Sequence, residues 1–381
     1  MKLISAAEFQ LTDNPIPILV QLGLTYKCNL KCDHCYALYH RDLNEMSYGE
    51  VEILIKQLYQ AGSCSVVYSH GENLMRKDFH DIAKMISNYD MYQTLMTNGF
   101  YLQEVQEAQR LKDTGINRVL VSIDSTDKKV HDKVRGVEGA FEKAIIALNN
   151  LKEVGIEAVG FSTTVDVHNY QNIPEVVQFA KSMNLDAVSL MQNRYNKPGV
   201  FMHDLWLEYV QTCKIIYNLM LENDGIIDIY THDPFMLTLL DDRMSNNEKR
   251  AAFIGANICN VASSMVSIDP VGNISGCNFI EEVIGNVREE SFNDIWERLV
   301  KRYNDKDNPP QGPCLSCNAL SSCMGGCKAF HYNSKYDERC GKRRFGEEEP
   351  HNLTNLSLPA YPTAPLKKIA AKYIPKIKSG E

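Results

Sequence analysis

Apolar residues in the first half of the chain follow two alternating rhythms. Residues 18–25, 65–69, 94–97, 118–123, 157–165 and 187–192 are short runs rich in Val, Ile, Leu and Thr. Between them, residues 48–60, 78–88, 102–114, 140–154 and 173–183 place apolar side chains three and four apart. The first rhythm predicts buried strands and the second amphipathic helices. Strand–helix alternation implies a parallel sheet covered by helices, with right-handed crossovers. Six such units close only part of a barrel. The predicted fold is therefore α/β, a partial (β/α)6 TIM-like barrel.

In parallel α/β folds chemistry collects at the carboxyl ends of the strands. The second strand ends in Ser69-His70-Gly71-Glu72-Asn73, the third in Thr97-Asn98-Gly99 and the fourth in Ser122-Ile123-Asp124. The loop beyond the fourth carries His131-Asp132 and Arg135-Gly136, the fifth strand ends in Ser162-Thr163-Thr164, and the sixth in Met191-Gln192-Asn193. Turn chemistry alone accounts for part of this, because Gly, Asn and Asp suit loops for backbone reasons. The first strand runs into TYKCNLKCDHCY, which sets Cys28, Cys32 and Cys35 in a C-x3-C-x2-C spacing. Soft thiolates so close together suit one metal centre, an iron–sulfur cluster or zinc. A closed site wants four protein ligands, and the next cysteine, Cys64, is far off. One metal vertex is then open to a small molecule.

The second half is organised differently. Residues 193–255 read as a bridge, with an amphipathic helix at 204–222, a turn at 231–234 and an exposed polar stretch at 241–249. Then come Cys259-x12-Gly272-x4-Cys277 and Cys314-x2-Cys317-x5-Cys323-x3-Cys327, followed by Cys340. Residues 268–273 predict a hairpin turn whose glycine takes a positive φ, and Ser291 an N-capped helix. A zinc ribbon would call for two CxxC pairs, and only one is present. Cys64 and Cys213 lie beside apolar neighbours and read as core packing. The predicted divisions are a barrel over 1–195, a helical bridge over 196–254, a small Cys-rich domain over 255–345 and a tail over 346–381.

Composition narrows the classes. With 44% hydrophobic and 23% charged residues the chain can build an ordinary core. A net charge of −8 argues against nucleic acid as the main partner. No apolar run approaches the ~18 residues of a spanning helix, and Asp13 and Asn14 interrupt the start where a signal peptide stays apolar. These features predict a cytoplasmic protein, whose twelve cysteines are better suited to metal than to disulfides.

The first cysteine motif, the rim and the second cysteine array together resemble the radical S-adenosylmethionine (SAM) superfamily with a C-terminal SPASM domain. Gly71-Glu72 resembles the GGEP stretch whose backbone contacts the SAM amino group; Ser122 and Asp124 resemble the VSIDG segment; and HDxxRG is intact from His131 to Gly136. The resemblance implies SAM bound at the cluster of Cys28, Cys32 and Cys35, with His34 packed near the adenine and Arg135 pairing with the SAM carboxylate. It also assigns cofactor contacts to Asn98, Thr163 and Met191 and a catalytic part to Asp124. It further implies three [4Fe–4S] clusters: Cys314, Cys317, Cys323 and Cys340 on an outer auxiliary cluster, and Cys259, Cys277 and Cys327 on an inner one. Some relatives add a cysteine just upstream of the inner set; residues 251–258 have none, so an iron there is left open. His70 and Asn73 replace the family's usual glycine and proline; His70 reads either as a substrate contact and proton shuttle or as a tolerated loop variant.

By the same resemblance, a 5′-deoxyadenosyl radical abstracts hydrogen and a peptide or protein side chain is oxidised, crosslinked or otherwise matured. The alternatives are a radical SAM enzyme of haem or tetrapyrrole biosynthesis, and a non-enzymatic iron–sulfur electron carrier. A low-potential ferredoxin or flavodoxin is the implied electron donor, with no nucleic-acid or membrane partner.

Overall fold

Strands β1 (Leu19–Gly23), β2 (Ser65–Ser69), β3 (Tyr92–Thr97), β4 (Arg118–Ser122), β5 (Ala158–Val165) and β6 (Ala187–Gln192) run parallel, each paired to the next. The computed structural model describes residues 15–37, 43–166, 169–193, 206–231, 259–303, 311–316 and 325–330. Its helices in chain order are α1 (Tyr48–Gln60), α2 (Phe79–Ser87), α3 (Val105–Asp113), α4 (Lys128–Arg135), α5 (Ala140–Glu153), α6 (Ile173–Ser182), α7 (Trp206–Glu222) and α8 (Phe292–Tyr303). The six predicted units and five crossover helices are present, and the partial barrel stands. The predicted polar stretch at 241–249 and tail at 346–381, and positions 204, 205 and 232–234, lie outside the described residues.

The sheet is larger than the alternation implied. β7 (Asp228–Thr231) pairs parallel to β6, inside the stretch read as a helical bridge. On the opposite side, β8 (Met265–Ile268) runs parallel along β1, and β9 (Asn273–Ser275) and β10 (Gly285–Asn286) continue antiparallel. Ten strands thus form one sheet, and the first hairpin of the second cysteine array is part of it. Gly272 turns that hairpin at φ +91°, as expected. The segment with HDxxRG, read as loop, is helix α4. Asp127 Oδ1 caps it, accepting the Lys129 and Val130 N–H groups at 2.8 and 3.4 Å, and Gly136 ends it at φ +69°.

Side-chain alternation explains why the sheet has one dry and one open face. Val20, Leu22, Val66, Tyr68, Leu95, Val119, Val121 and Phe161 are fully buried in the core, while Gln21, Ser69, Met96, Ser122, Ser162, Thr164 and Met191 are half-exposed. The core runs on into β8 and α8, where Val266, Ile268, Phe292, Ile295 and Leu299 are sealed. Ser291 Oγ accepts the Asp294 N–H at 3.3 Å, which is the predicted N-cap. Cys213 is buried, as its apolar neighbours implied, and accepts from Gln192 Nε2 at 3.9 Å. Among the described residues no helix is long and apolar enough to cross a membrane.

Because β8 shares the barrel's core, truncating it loosens both cysteine regions together. Ile268→Ala should cost about 2–5 kcal/mol and shift one cooperative denaturation transition. Two separated transitions would contradict a common core.

Candidate functional site

The cysteine loop is clamped on both flanks by backbone. Thr25 and Lys27 carbonyls accept the Gly71 and Glu72 N–H groups, each at 2.9 Å. A Cβ on Gly71 would fall 2.4 Å from the Lys27 oxygen, so only glycine permits this approach. On the other flank the Lys31 and Asp33 N–H groups bond to the Arg135 and Val134 carbonyls at 3.4 and 3.0 Å. There a Cβ on Gly136 would lie 2.8 Å from the Lys31 oxygen. Glu45 completes the entry, accepting Thr25 Oγ1–H at 2.7 Å and the Tyr26 N–H at 2.8 Å. Asn73, where the family has proline, is fully buried; its Oδ1 accepts the Leu24 N–H at 3.2 Å and its Nδ2 donates to the Ser69 carbonyl at 3.0 Å. The departure is therefore a tie between the ends of β1 and β2.

Donors converge on the sulfurs. Cys28 Sγ lies 3.5 Å from the Leu30 N–H and 3.9 Å from Asn98 Nδ2, and Cys32 Sγ lies 3.8 Å from Arg135 Nη1. All three thiols are unbridged. Burial pushes Cys28 up to about 11, so positive iron is what would draw off its proton. Among the described residues no three His, Cys, Asp or Glu side chains converge as ligands of a single ion. Unbridged sulfurs with N–H donors aimed at them fit a centre with one thiolate on each iron, since such hydrogen bonds tune iron–sulfur sites.

Behind the loop stand two buried carboxylates with different partners. Glu72 Oε2 accepts the Asn98 N–H at 2.8 Å and Oε1 accepts Thr97 Oγ1–H at 2.9 Å. Burial lifts Glu72 to about 7 despite these bonds, and it joins the ends of β2 and β3. Asn98 also donates to Asn29 Oδ1 at 2.9 Å. Asp124 faces Arg135: Nη2 donates to Oδ1 at 2.9 Å, while Nε and Oδ2 approach to 2.7 Å. Neither of those last two atoms makes a directed hydrogen bond, so that contact is charge attraction and the Nη2 bond sets orientation. Burial alone would raise Asp124; the guanidinium, with His34 and His131, holds it below the usual carboxylate range. His131 Nδ1 accepts the Asp124 N–H at 3.2 Å. Burial, with Arg135 beside it, drops His131 to about 4.

The Arg135 fork engages Asp124 and Cys32. Asp124 positions Arg135 and also accepts the Thr164 N–H at 3.0 Å. Thr163 points into the core, with its hydroxyl donating to the Ile123 carbonyl at 2.7 Å; the two-residue period of β5 puts Ser162 and Thr164 on the open face instead. Ser122 and Met191 share that face, and Thr164 pairs in register with Met191. His34 is half-buried and close enough to Asp124 and His131 to affect both charges. Asn169 escaped the sequence reading: its Nδ2 bonds the Asp124 and Thr164 carbonyls at 2.9 and 2.8 Å.

The second array adjoins this loop. Tyr26 Oη donates to Asp269 Oδ2 at 2.8 Å, and Asn278 Nδ2 donates to Tyr36 Oη at 2.7 Å. His70 takes φ +72°, where a glycine would be relaxed. Its ring sits edge-on to Tyr26 and Tyr36 at 5.5 and 5.6 Å. Cys277 and Cys327 are buried, Cys259 and Cys314 half-buried, and all four are unbridged. Cys317, Cys323 and Cys340 lie outside the described residues.

Comparison with known proteins agrees with this geometry. Residues 22–180 match the radical SAM superfamily, and residues 259–318 match SPASM, an iron–sulfur cluster-binding domain. Fe-coproporphyrin III synthase of Methanosarcina barkeri is 28% identical over 355 residues, covering 83% of this chain and 84% of that protein. Mycofactocin maturase MftC of Mycolicibacterium smegmatis is 27% identical over 325 residues, covering 83% and 79%. The structure of Streptococcus suis SuiB bound to SAM superposes with a TM-score of 0.69 at 19% identity, covering 88% of this chain and 80% of SuiB. Loop, rim and second array define an iron–sulfur enzyme that uses SAM. The chain carries a radical SAM domain followed by a SPASM iron–sulfur cluster-binding domain.

If Arg135 is buried because Asp124 neutralises it, removing the carboxylate alone strands a charge. Asp124→Leu should cost about 3–5 kcal/mol in denaturation. Asp124→Leu with Arg135→Met should recover most of that loss without regaining Cys32's donor.

Proposed function

We propose that this enzyme matures a peptide or protein by modifying a side chain, through oxidation, crosslinking or a related hydrogen-abstraction outcome. The alignment with mycofactocin maturase carries the reading, because it runs through most of both chains. SuiB, a neighbour in fold, has been solved with its precursor peptide SuiA. A reduced cluster with bound SAM supplies a 5′-deoxyadenosyl radical for hydrogen abstraction.

In this reading Cys28, Cys32 and Cys35 hold the SAM cluster. The backbone at Gly71 and Glu72, whose N–H groups are committed to Thr25 and Lys27, contacts the SAM amino group. Ser122, Thr164 and Met191 line the open face, and His34 packs near the adenine. Asn98 and Arg135 act through the sulfurs they touch. His70 contacts substrate from between the two tyrosines. Cys314, Cys317, Cys323 and Cys340 hold the outer auxiliary cluster, and Cys259, Cys277 and Cys327 the inner one. The electron donor is a low-potential ferredoxin or flavodoxin in the cytoplasm, a compartment that keeps thiols reduced.

A second reading, action on a tetrapyrrole, is favoured by Fe-coproporphyrin III synthase and by the AdoMet-dependent heme synthase of M. barkeri, 26% identical over 363 residues.

Anaerobically reconstituted protein should carry about twelve irons per chain and release 5′-deoxyadenosine from SAM under dithionite. About four irons would refute the auxiliary pair, and no 5′-deoxyadenosine under any condition would refute the enzyme. Titration with an iron coproporphyrin should leave its Soret band unmoved. A saturable shift would replace the peptide reading with the tetrapyrrole one.

A further inference from the structure

Tyr36 follows Cys35 directly, and Asn278 follows Cys277 directly. The two side chains meet at 2.7 Å, across 242 residues of sequence. The phenol oxygen is an acceptor twice over, because the His70 backbone N–H also reaches it at 3.0 Å. Asn278 is fixed from behind as well, its own N–H bonding to Gln21 Oε1 on β1 at 3.1 Å. The Tyr36 ring is held between His70, at 5.6 Å, and Phe279, at 5.0 Å. The residues beside one ligand from each of two iron centres are thus locked to each other and to the sheet. His70, the departure from glycine, supplies both a ring wall and a backbone donor to this contact.

We propose that Tyr36 and Asn278 are positioning residues that set the separation and relative orientation of the SAM-cluster loop and the inner auxiliary-cluster loop. Neither reaches a sulfur in this role; each fixes the backbone next to a ligating cysteine. Tyr26–Asp269 is a second tie, one hairpin turn away, on the β8–β9 hairpin. The Tyr36–Asn278 bond, with the Asn278 N–H on Gln21, holds the Cys277 loop itself. The proposal rests on Cys277 ligating an auxiliary centre and is independent of whether the substrate is a peptide or a tetrapyrrole.

The test uses the full chain, reconstituted anaerobically with iron and sulfide and reduced with dithionite. Tyr36→Phe keeps both ring contacts and removes the phenol oxygen with its bonds to Asn278, the His70 N–H and Ser69; Asn278→Leu keeps the bulk and removes the donor. Each variant should retain wild-type iron content yet show weakened magnetic interaction between the two reduced centres by pulsed EPR. Each should also shift the auxiliary midpoint potential, in the same direction. The double variant should shift no further than Tyr36→Phe alone, since that change already breaks the bond that Asn278→Leu removes. Wild-type interaction and potential in both single variants, or shifts that add in the double, would overturn the proposal. If Tyr36→Phe loses iron from the first loop, Asn278→Leu, on the far side of the bond, decides the outcome alone. Unchanged iron content in Cys277→Ala would instead remove the auxiliary ligand on which the proposal stands.

Discussion

Everything around the site depends on holding a short, polar, thiol-rich loop rigid at the edge of a dry core. Such a loop carries backbone groups that burial would leave unpaired at a cost of about 1–3 kcal/mol each. Here the neighbouring chain supplies partners: the end of β2 on one flank and the end of α4 on the other, each through two backbone bonds. Gly71 and Gly136 occur where they do because a methyl group on either would strike a loop carbonyl. The family's GGEP and HDxxRG patterns, seen in these terms, describe the two jaws of a clamp.

The same constraint orders the charges. Glu72 and Asp124 are both sealed, yet burial raises one and a guanidinium lowers the other. Glu72 is satisfied by hydroxyl and amide donors from the end of β3, so it stitches strand ends. Asp124 holds Arg135 in place, and Arg135 reaches Cys32. Asp124 thus stands one residue removed from the Cys32 sulfur. The departures follow this pattern too: Asn73 closes the gap between β1 and β2, and His70 fills the space between two tyrosines that reach into the second array.

That second array is not an appendage. β8 lies along β1 as the next parallel strand, so the auxiliary-cluster hairpin inherits the barrel's register. Contacts between Tyr26 and Asp269, and between Tyr36 and Asn278, then join side chains whose separation in sequence hides any relation. A radical enzyme that must keep several metal centres in fixed relation gains this from one continuous sheet without relying on a flexible joint.

Periodicity was enough for the six barrel strands and their crossover helices, because burial on one face dictates side-chain spacing wherever elements are local. Cysteine spacing narrowed the metal chemistry to iron–sulfur or zinc, and the family resemblance pointed to iron–sulfur clusters. Three things stayed hidden. β7 is four residues long and starts at Asp228, too little for a period to show. α4 is polar over most of its surface, so its motif hid its helix. The pairing of β8 with β1 spans more than two hundred residues, and no local pattern encodes it. Which face Thr163 presents, and whom Arg135 serves, depend on register and on charges brought together from different strands. The amino-acid order pointed to iron–sulfur clusters and SAM; only the folded sheet decided which side chains stand next to which sulfur, because hydrogen bonds and ion pairs form between neighbours in space.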